Sequence, residues 1–517
     1  MIHKSDEAHN TMLKSLANSA MAMVYRQRQG HIQRMMDNPH ALQAATLRQL
    51  LAAASHTEWG RKFAFRELKN ATDFADRVPV QDYEAFKPYI ERMMYGERDV
   101  LWHGQARWFS KSSGTTNDKS KYIPITNENL KKNHIKGTWD TMTMMYHKNP
   151  QSQCFRDKTV LMGGSHYAFE PYPKTRIGDV SAIMIEHMPA IARPFFTPDF
   201  KTALMPNFEE KLNRLVEILP KEPLVMLGGV PTWTVVLFNK ILEHTGKSNL
   251  LEVWPNLESY VHGGVSFSPY RAQFEKFIPS KTFIYQEIYN ASEGFFAIQN
   301  ERTEEGMLLL VDNGVYYEFV TIAEWDAQFP RAIGLEDVQL GQHYAMVITT
   351  NSGLWRYATG DTVMFTSVMP YKIKVTGRTQ QFVNAFGEEV MVSNTDKALE
   401  ETCKVLDVAV AEYTVAPIYF NEHGKGGHEW LIEFDRQPAD IEQFNTLLDQ
   451  NLQRVNSDYE AKRYKNLALN RLCARILPRG TFHHWLRSKG KFGGQNKVPR
   501  LANHRQYVDD ILLFMGQ

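Results

Sequence analysis

The amino-acid sequence predicts an α/β protein, with a large multi-sheet N-terminal domain followed by a small α+β C-terminal domain. Three observations carry this. Between about residue 158 and residue 262, short apolar runs alternate with amphipathic stretches of helical length. That is the pattern of a largely parallel sheet, whose ligands sit at the carboxyl ends of its strands. After Thr282 strand-like runs follow one another across turns such as Asn313-Gly314 and Ser352-Gly353, so antiparallel strands should close the domain. Beyond Gly377 the pattern changes again, to helices interleaved with a few strands. A chain of 517 residues is too long for a single core. These changes divide it into 1–376, a connecting stretch 377–388, and 389–517.

In order along the chain, Met12 to Met36 reads as one or two helices, with Leu13, Leu16, Ala17, Ala20, Met23 and Val24 at helical spacing. Such a stripe is expected to pack into the core. His40 to Ala54 is a further helix, and Pro79 separates short helices at Ala71 to Asp76 and Asp82 to Met94. Asn127 to Tyr146 is helical again. Thr159 to Met162 is a buried strand, Phe208 to Leu219 an amphipathic helix, Leu224 to Leu227 a strand and Trp233 to His244 a helix. Leu257 to Val261 and Phe283 to Tyr289 are strands. Met307–Val311 and Val315–Val320 flank Asp312-Asn313-Gly314 as a hairpin. Tyr344–Thr349 and Leu354–Tyr357 flank Asn351-Ser352-Gly353 as a second. Tyr371 to Val375 ends the large domain. The small one takes a helix at Thr395–Leu406, strands at Val408–Val415, Glu429–Phe434 and Arg471–Leu477, and a helix at Asp440–Val455.

Composition excludes several classes. Lys+Arg 59 against Asp+Glu 58 leaves a formal charge of +1, so charge implies no nucleic-acid or membrane partner. No obligate protein partner is evident. The first residues are polar and lack the apolar core of a signal peptide, and no apolar run approaches the roughly 20 residues of a membrane span. Cys154, Cys403 and Cys473 are too few and too far apart for a disulfide framework or a zinc site. Each is expected to be a small buried hydrophobe, in a cytoplasmic protein.

The stretch with the most chemistry is Ser112-Ser113-Gly114-Thr115-Thr116, between an aromatic run, Arg107-Trp108-Phe109, and Lys119, Lys121 and Tyr122-Ile123-Pro124-Ile125. A hydroxyl-rich turn around one glycine, between strands and beside a lysine, suits phosphate: free N–H groups form an anion cradle, and hydroxyls and an ammonium complete it. On composition alone an exposed polar turn explains it as well. Competing sites fail. Gly246-Lys247-Ser248 lacks the first glycine of a Walker A loop, because Ile241 stands there. Gly163-Gly164-Ser165-His166-Tyr167 lacks the last glycine of a hydrolase elbow. His483 and His484, adjacent on a helix, should point apart and hold no metal.

Ser112 to Thr116, Tyr289-Asn290-Ala291-Ser292-Glu293-Gly294, Tyr357-Ala358-Thr359-Gly360-Asp361 and Gly377-Arg378 occur in that order at large separations. Together they resemble the acyl-adenylating superfamily of firefly luciferase and the acyl-CoA synthetases. Gly228-Gly229-Val230-Pro231, Asn384 to Glu389 and Asn496-Lys497-Val498-Pro499-Arg500 narrow the likeness. They resemble the auxin-responsive-promoter family of acyl acid–amido synthetases, in a bacterial-type member. The resemblance implies an adenylate-forming N-terminal domain, a mobile C-terminal lid, ATP and Mg²⁺. It implies a ligase that adenylates a carboxylic acid and then transfers the acyl group to an amine, an amino acid in this family. By the same resemblance, Ser112, Ser113, Gly114, Thr115 and Thr116 hold the phosphates with Lys121. Tyr289 and Ser292 line the nucleotide, Glu293 binds Mg²⁺, Asp361 accepts from the ribose hydroxyls and Arg378 contacts ribose or phosphate. Lys497 is delivered to the α-phosphate, and Gly263 and Gly264 lie near the adenine or acyl pocket. Asn290-Ala291 departs from the plant pattern. Two other readings stay open: transfer to coenzyme A or another thiol, and a nucleotide-binding regulatory protein without catalysis.

Overall fold

A computed structural model describes the chain except residues 1, 113–120, 265–266, 268–269, 303–305, 326–329, 380–381, 384–387, 389, 419–425, 457–458, 461–462, 464–468, 491–496, 503 and 517. The chain divides into two compact units. The first takes Met1–Val265, Gln273–Thr359 and Met364–Lys374. The second takes Ser266–Ala272, Gly360–Val363 and Val375–Gln517.

Fifteen described strands run from the first sheet residues to Arg378: β1 (Trp108–Ser112), β2 (Lys121–Ile125), β3 (Lys158–Leu161), β4 (His166–Ala168), β5 (Arg176–Gly178), β6 (Phe196–Thr197), β7 (Leu224–Gly229), β8 (Ser259–His262), β9 (Ile284–Ala291), β10 (Gly294–Ile298), β11 (Met307–Leu309), β12 (Val315–Thr321), β13 (His343–Thr350), β14 (Tyr357–Val368) and β15 (Tyr371–Arg378). A four-stranded sheet has the order β2-β1-β5-β4. The main sheet has the order β12-β13-β14-β15-β11-β10-β9-β8-β7-β3-β6. From β6 through β3, β7 and β8 to β9 the pairs are parallel. This is the half that the strand–helix alternation predicts, because parallel neighbours need crossover segments. At β9 the direction changes: β10 is antiparallel to β9, and β11 to both β10 and β15. The fold is therefore the mixed, multi-sheet α/β architecture expected, followed along the chain by a smaller α+β part.

Three expectations need correction. The segment Met307–Val320 is not a hairpin. Its strands β11 and β12 lie on different parts of the sheet, and β12 pairs along its whole length with β13. The turn residues between them are taken by tertiary contacts. Asp312 bonds Lys136 and His31, each at 2.7 Å, and Asn313 is fully buried with its amide donating to the Phe295 carbonyl. The Asp-Asn-Gly turn is thus a corner that carries the chain across the sheet.

The first helix, Ile2–Asp37, buries a different stripe from the apolar one. Leu16, Met23 and Val24 are exposed, while Asn18, Ala22, Tyr25, Ile32 and Met35 face inward. Tyr25 stacks on Tyr146 at 5.5 Å, and Asn18 bonds Ser152, Tyr146 and the Phe155 N–H. Aromatic area and polar anchoring outweigh the small apolar residues. Similarly, Cys154 is buried but Cys473 is exposed, because it sits on an edge strand where alternate side chains face out.

The second unit holds β16 (Phe382–Val383), β17 (Val390–Met391), β18 (Ala409–Ile418), β19 (Gly427–Arg436) and β20 (Cys473–Leu477). In its three-stranded sheet β18 is antiparallel and β20 parallel to β19. Helices Val392–Leu406 and Ile441–Val455 cover one face over a core that includes Tyr413, Trp430, Phe444 and Leu448. Helices Thr481–Ser488 and Gln506–Phe514 add a second cluster around Trp485 and Ile511. Among the described residues no helix is long and apolar enough to cross a membrane.

Candidate active site

The stem of the hydroxyl-rich loop is an antiparallel ladder. β1 and β2 pair from Trp108 opposite Ile125 to Ser112 opposite Lys121. Ser112 and Lys121 therefore face each other where the loop leaves and re-enters the sheet. Ser113, Gly114, Thr115 and Thr116 lie outside the described residues. The Lys121 ammonium sits 5.8 Å over the Tyr83 ring, and the Tyr83 hydroxyl accepts from the Tyr122 N–H at 2.9 Å. Burial pushes that phenol up to about 12.

Two residues before Ser112, on the same face of β1, Ser110 donates to the Ser292 hydroxyl at 3.0 Å, and both are buried. This bond ties the loop's strand to the turn between β9 and β10. Ala291 pairs with Gly294 there, so Ser292 and Glu293 form the two-residue tip. Glu293 is only 8% exposed, and the Tyr357 hydroxyl lies 3.5 Å from its Oε1. Tyr289 is buried and packs edge-on against Phe296 at 5.0 Å. The first unit thus brings Ser112, Lys121, Tyr289, Ser292 and Glu293 onto neighbouring elements. Glu293 supplies a buried carboxylate at this tip. That matches Mg²⁺, which is commonly held by one or two carboxylates together with substrate phosphate oxygens. Among the described residues no group of three or more His, Cys, Asp or Glu gathers as a cage. The rings of His483 and His484 are 5.5 Å apart at 70° rather than pointing apart.

Gly263 and Gly264 follow β8. A Cβ on Gly263 would stand 2.4 Å from the Ile288 carbonyl oxygen, so the backbone of β9 passes too close for any side chain. This packing alone accounts for that glycine.

In the second unit Asp361 bonds the Arg378 guanidinium, Oδ1 to Nε, at 2.9 Å. Gly360, with φ +81, lets the strand turn Asp361 toward it, and its carbonyl accepts from the Thr379 N–H at 2.8 Å. Lys497 is exposed to solvent, and the charges of Arg378, Asp361 and Arg500 act on its ammonium. Loss of hydration first, and then the positive charges of Arg378 and Arg500, pull its pKa down to about 8, with Asp361 opposing them. Lys497, Asp361 and Arg378 are therefore electrostatic neighbours.

Arg500, three residues on, is anchored on every side. It meets Glu412 at 3.0 Å, Asp396 at 4.0 Å, the Tyr270 hydroxyl at 3.0 Å and the Tyr413 ring at 4.4 Å.

Sequence reasoning missed Ser110, the Tyr357 hydroxyl and the support role of Arg500. The period of two along β1 and the Lys-x-x-Arg spacing were the available signals.

Three family profiles match in order: the GH3 family N-terminal domain over residues 28–283, its central domain over 308–378 and its C-terminal domain over 393–506. The chain is 24% identical to an indole-3-acetic acid-amido synthetase of Arabidopsis thaliana, over 91% of each chain. It is 23% identical to a jasmonoyl–L-amino acid synthetase of Nicotiana attenuata, over 89% of this chain and 90% of the relative. A solved GH3 acyl acid amido synthetase shares the fold with a TM-score of 0.77 at 16% identity, covering 93% of this chain and 94% of that one. A 2-hydroxyisobutyryl-CoA ligase in its postadenylation state shares it with a TM-score of 0.60 at 16% identity, over 93% and 92%. Because the three GH3 profiles together span most of its length, the chain belongs to the GH3 family.

Proposed function

We propose that this chain is an ATP-dependent ligase that adenylates a carboxylic acid and passes the acyl group to the amine of an amino acid. The observation that carries this is the ordered match of all three GH3 domains, in a family whose relatives include indole-3-acetic acid-amido, jasmonoyl–amino acid and 4-substituted benzoate–glutamate ligases. The carboxylate attacks the α-phosphate of ATP and displaces pyrophosphate, and the amine then takes the acyl group from the acyl adenylate as AMP leaves. Ser112 and Lys121, at the mouth of the hydroxyl-rich loop, bind its phosphates with Ser113, Gly114, Thr115 and Thr116. Glu293 holds Mg²⁺, steadied by Tyr357. Asp361 orients the ribose with Arg378 as its charge partner, while Tyr289, Ser292, Gly263 and Gly264 border the nucleotide and acyl pockets. Lys497 stabilises the charge that grows on the α-phosphate, an effect exerted mainly in the transition state. Residues 377–388 act as a hinge for the C-terminal part. The cytoplasm is the compartment that suits three free thiols.

Incubation with ATP, Mg²⁺ and a panel of acids, offered either amino acids or coenzyme A, tests the proposal by mass spectrometry of the products. It predicts an N-acyl amino acid that requires ATP. A thioester as the sole product assigns the acceptor to the thiol class. ATP binding with no product from any acid would favour a regulatory protein.

A further inference from the structure

A single turn of π-helix, Leu130–Ile135, links the short helix Asn127–Asn129 to the helix Lys136–Lys148. Such turns are rare and gather at functional sites. This one presents two consecutive, fully buried polar residues, Asn133 and His134. Asn133 grips the chain just after Glu293. Its Oδ1 accepts from the Phe295 N–H at 2.6 Å, and its Nδ2 donates to the Phe295 carbonyl at 3.3 Å and the Asn313 carbonyl at 3.1 Å.

His134 grips the chain just before Glu293, with Nδ1 3.2 Å from Asn290 Oδ1. Burial pulls its pKa down to about 4, so the ring is neutral and Nδ1 carries the proton of that bond. Two close approaches make the grip possible. A Cβ on Gly137 would stand 2.4 Å from the Phe295 ring, and one on Gly294 3.2 Å from Asn133 Oδ1. Among the described residues, His134 Nε2 is buried with no hydrogen-bond partner. An apolar side chain would fill the position without that penalty, so packing does not explain a histidine here.

We infer that Asn133 and His134 are positioning residues for the Glu293 turn, holding its two shoulders so that Ser292 and Glu293 keep one orientation toward metal and nucleotide. The inference rests on the role given to Glu293 in the proposed function.

The test compares His134→Phe, His134→Gln, Asn290→Ala and the His134→Phe/Asn290→Ala double variant. Three quantities are read: the Mg²⁺ concentration needed for half-maximal ATP binding by calorimetry, the rate of acid-dependent ATP–pyrophosphate exchange, and the thermal unfolding midpoint. Because an ångström of misplacement costs on the order of 10²-fold in rate, His134→Phe should slow exchange by about tenfold or more and raise the Mg²⁺ requirement. The unfolding midpoint should stay near that of the wild type. Asn290→Ala should match it, and the double variant should lose no more than either single one. His134→Gln, which keeps a donor, should recover most of the rate. A wild-type Mg²⁺ requirement in His134→Phe overturns the inference. So does failed rescue by glutamine, additive losses in the double variant, or a midpoint that falls in step with the rate. If the wild type shows no acid-dependent exchange at all, the synthetase reading fails, and the Mg²⁺ dependence of ATP binding still decides the clamp.

Discussion

In the proposed reaction, stabilisation of the charge on the α-phosphate is assigned to Lys497. Loss of hydration and two arginines depress its pKa to about 8, from an ordinary lysine value near 10.4. The sign follows directly: the ammonium is charged below about pH 8 and is lost above it. Adenylation that depends on that charge should therefore fall as pH rises through about 8, and a rate that stays flat well above pH 9 would contradict the assignment. Lys497→Ala should slow acyl-adenylate formation by on the order of 10²-fold or more with little change in ATP binding. Amine transfer started from synthetic acyl adenylate should suffer much less. Asp361→Ala should act the other way round. Loss of a charge-assisted hydrogen bond is worth roughly 1.5–3 kcal/mol, so ATP affinity should drop about tenfold or more, and an unchanged dissociation constant by calorimetry would remove Asp361 from the ribose site. These residues were legible because each sits in a short motif and the motifs keep their order. Ser110, the Tyr357 hydroxyl contact and His134 were not, because each meets a partner far away in sequence: Ser110 and Ser292 are 182 residues apart, Tyr357 and Glu293 64, and His134 and Asn290 156.

Among the elements, the corner at Asp312 shows why local turn chemistry misleads. Asp-Asn-Gly between two apolar runs is a strong hairpin signal, yet Asp312 is spent on Lys136 and His31. These partners, together with burial that opposes them, leave its pKa at about 2. Because the folded value lies below the unfolded one, near 3.9, the pairing stabilises the fold above about pH 4 and is lost as pH falls toward 2. Asp312→Ala leaves Lys136 with Asp140 alone. It should cost about 3 kcal/mol, at the low end for breaking a buried pair because His31 is open to solvent. The variant should unfold several degrees earlier by calorimetry and show a weaker pH dependence of stability between about pH 2 and 4; a midpoint equal to the wild type would show the network to be dispensable. The parallel half of the main sheet was legible through the amphipathic helices on either side of β7, Phe208–Ile218 and Pro231–Thr245, whereas the short crossover helices Val180–Glu186 and Arg271–Phe277 carry too few turns to stand out. The buried face of the first helix was not. Asn18 and Tyr25 do not look apolar, and only their partners, Ser152 and Tyr146, reveal them as the inward side.

At the scale of the whole molecule, the same ordered motifs that suggested an adenylate-forming enzyme reappear as neighbours within each compact unit. Loop stem, Glu293 turn and Tyr357 lie in the first; Asp361, Arg378 and Lys497 lie in the second. Pocket-lining residues carry no pattern by which the acid or the amine can be read, since any apolar side chain serves a hydrophobic pocket. In the proposed reaction the chain activates a carboxylate with ATP in a step separate from transfer to the acceptor. Exchange of labelled pyrophosphate into ATP, with aryl, indolic and alkyl acids and no amine, measures that step alone. At least one acid should drive exchange well above the acid-free background, and Lys497→Ala should slow that exchange by on the order of 10²-fold or more. A protein that binds ATP yet shows no acid-dependent exchange across the panel would contradict the proposed reaction.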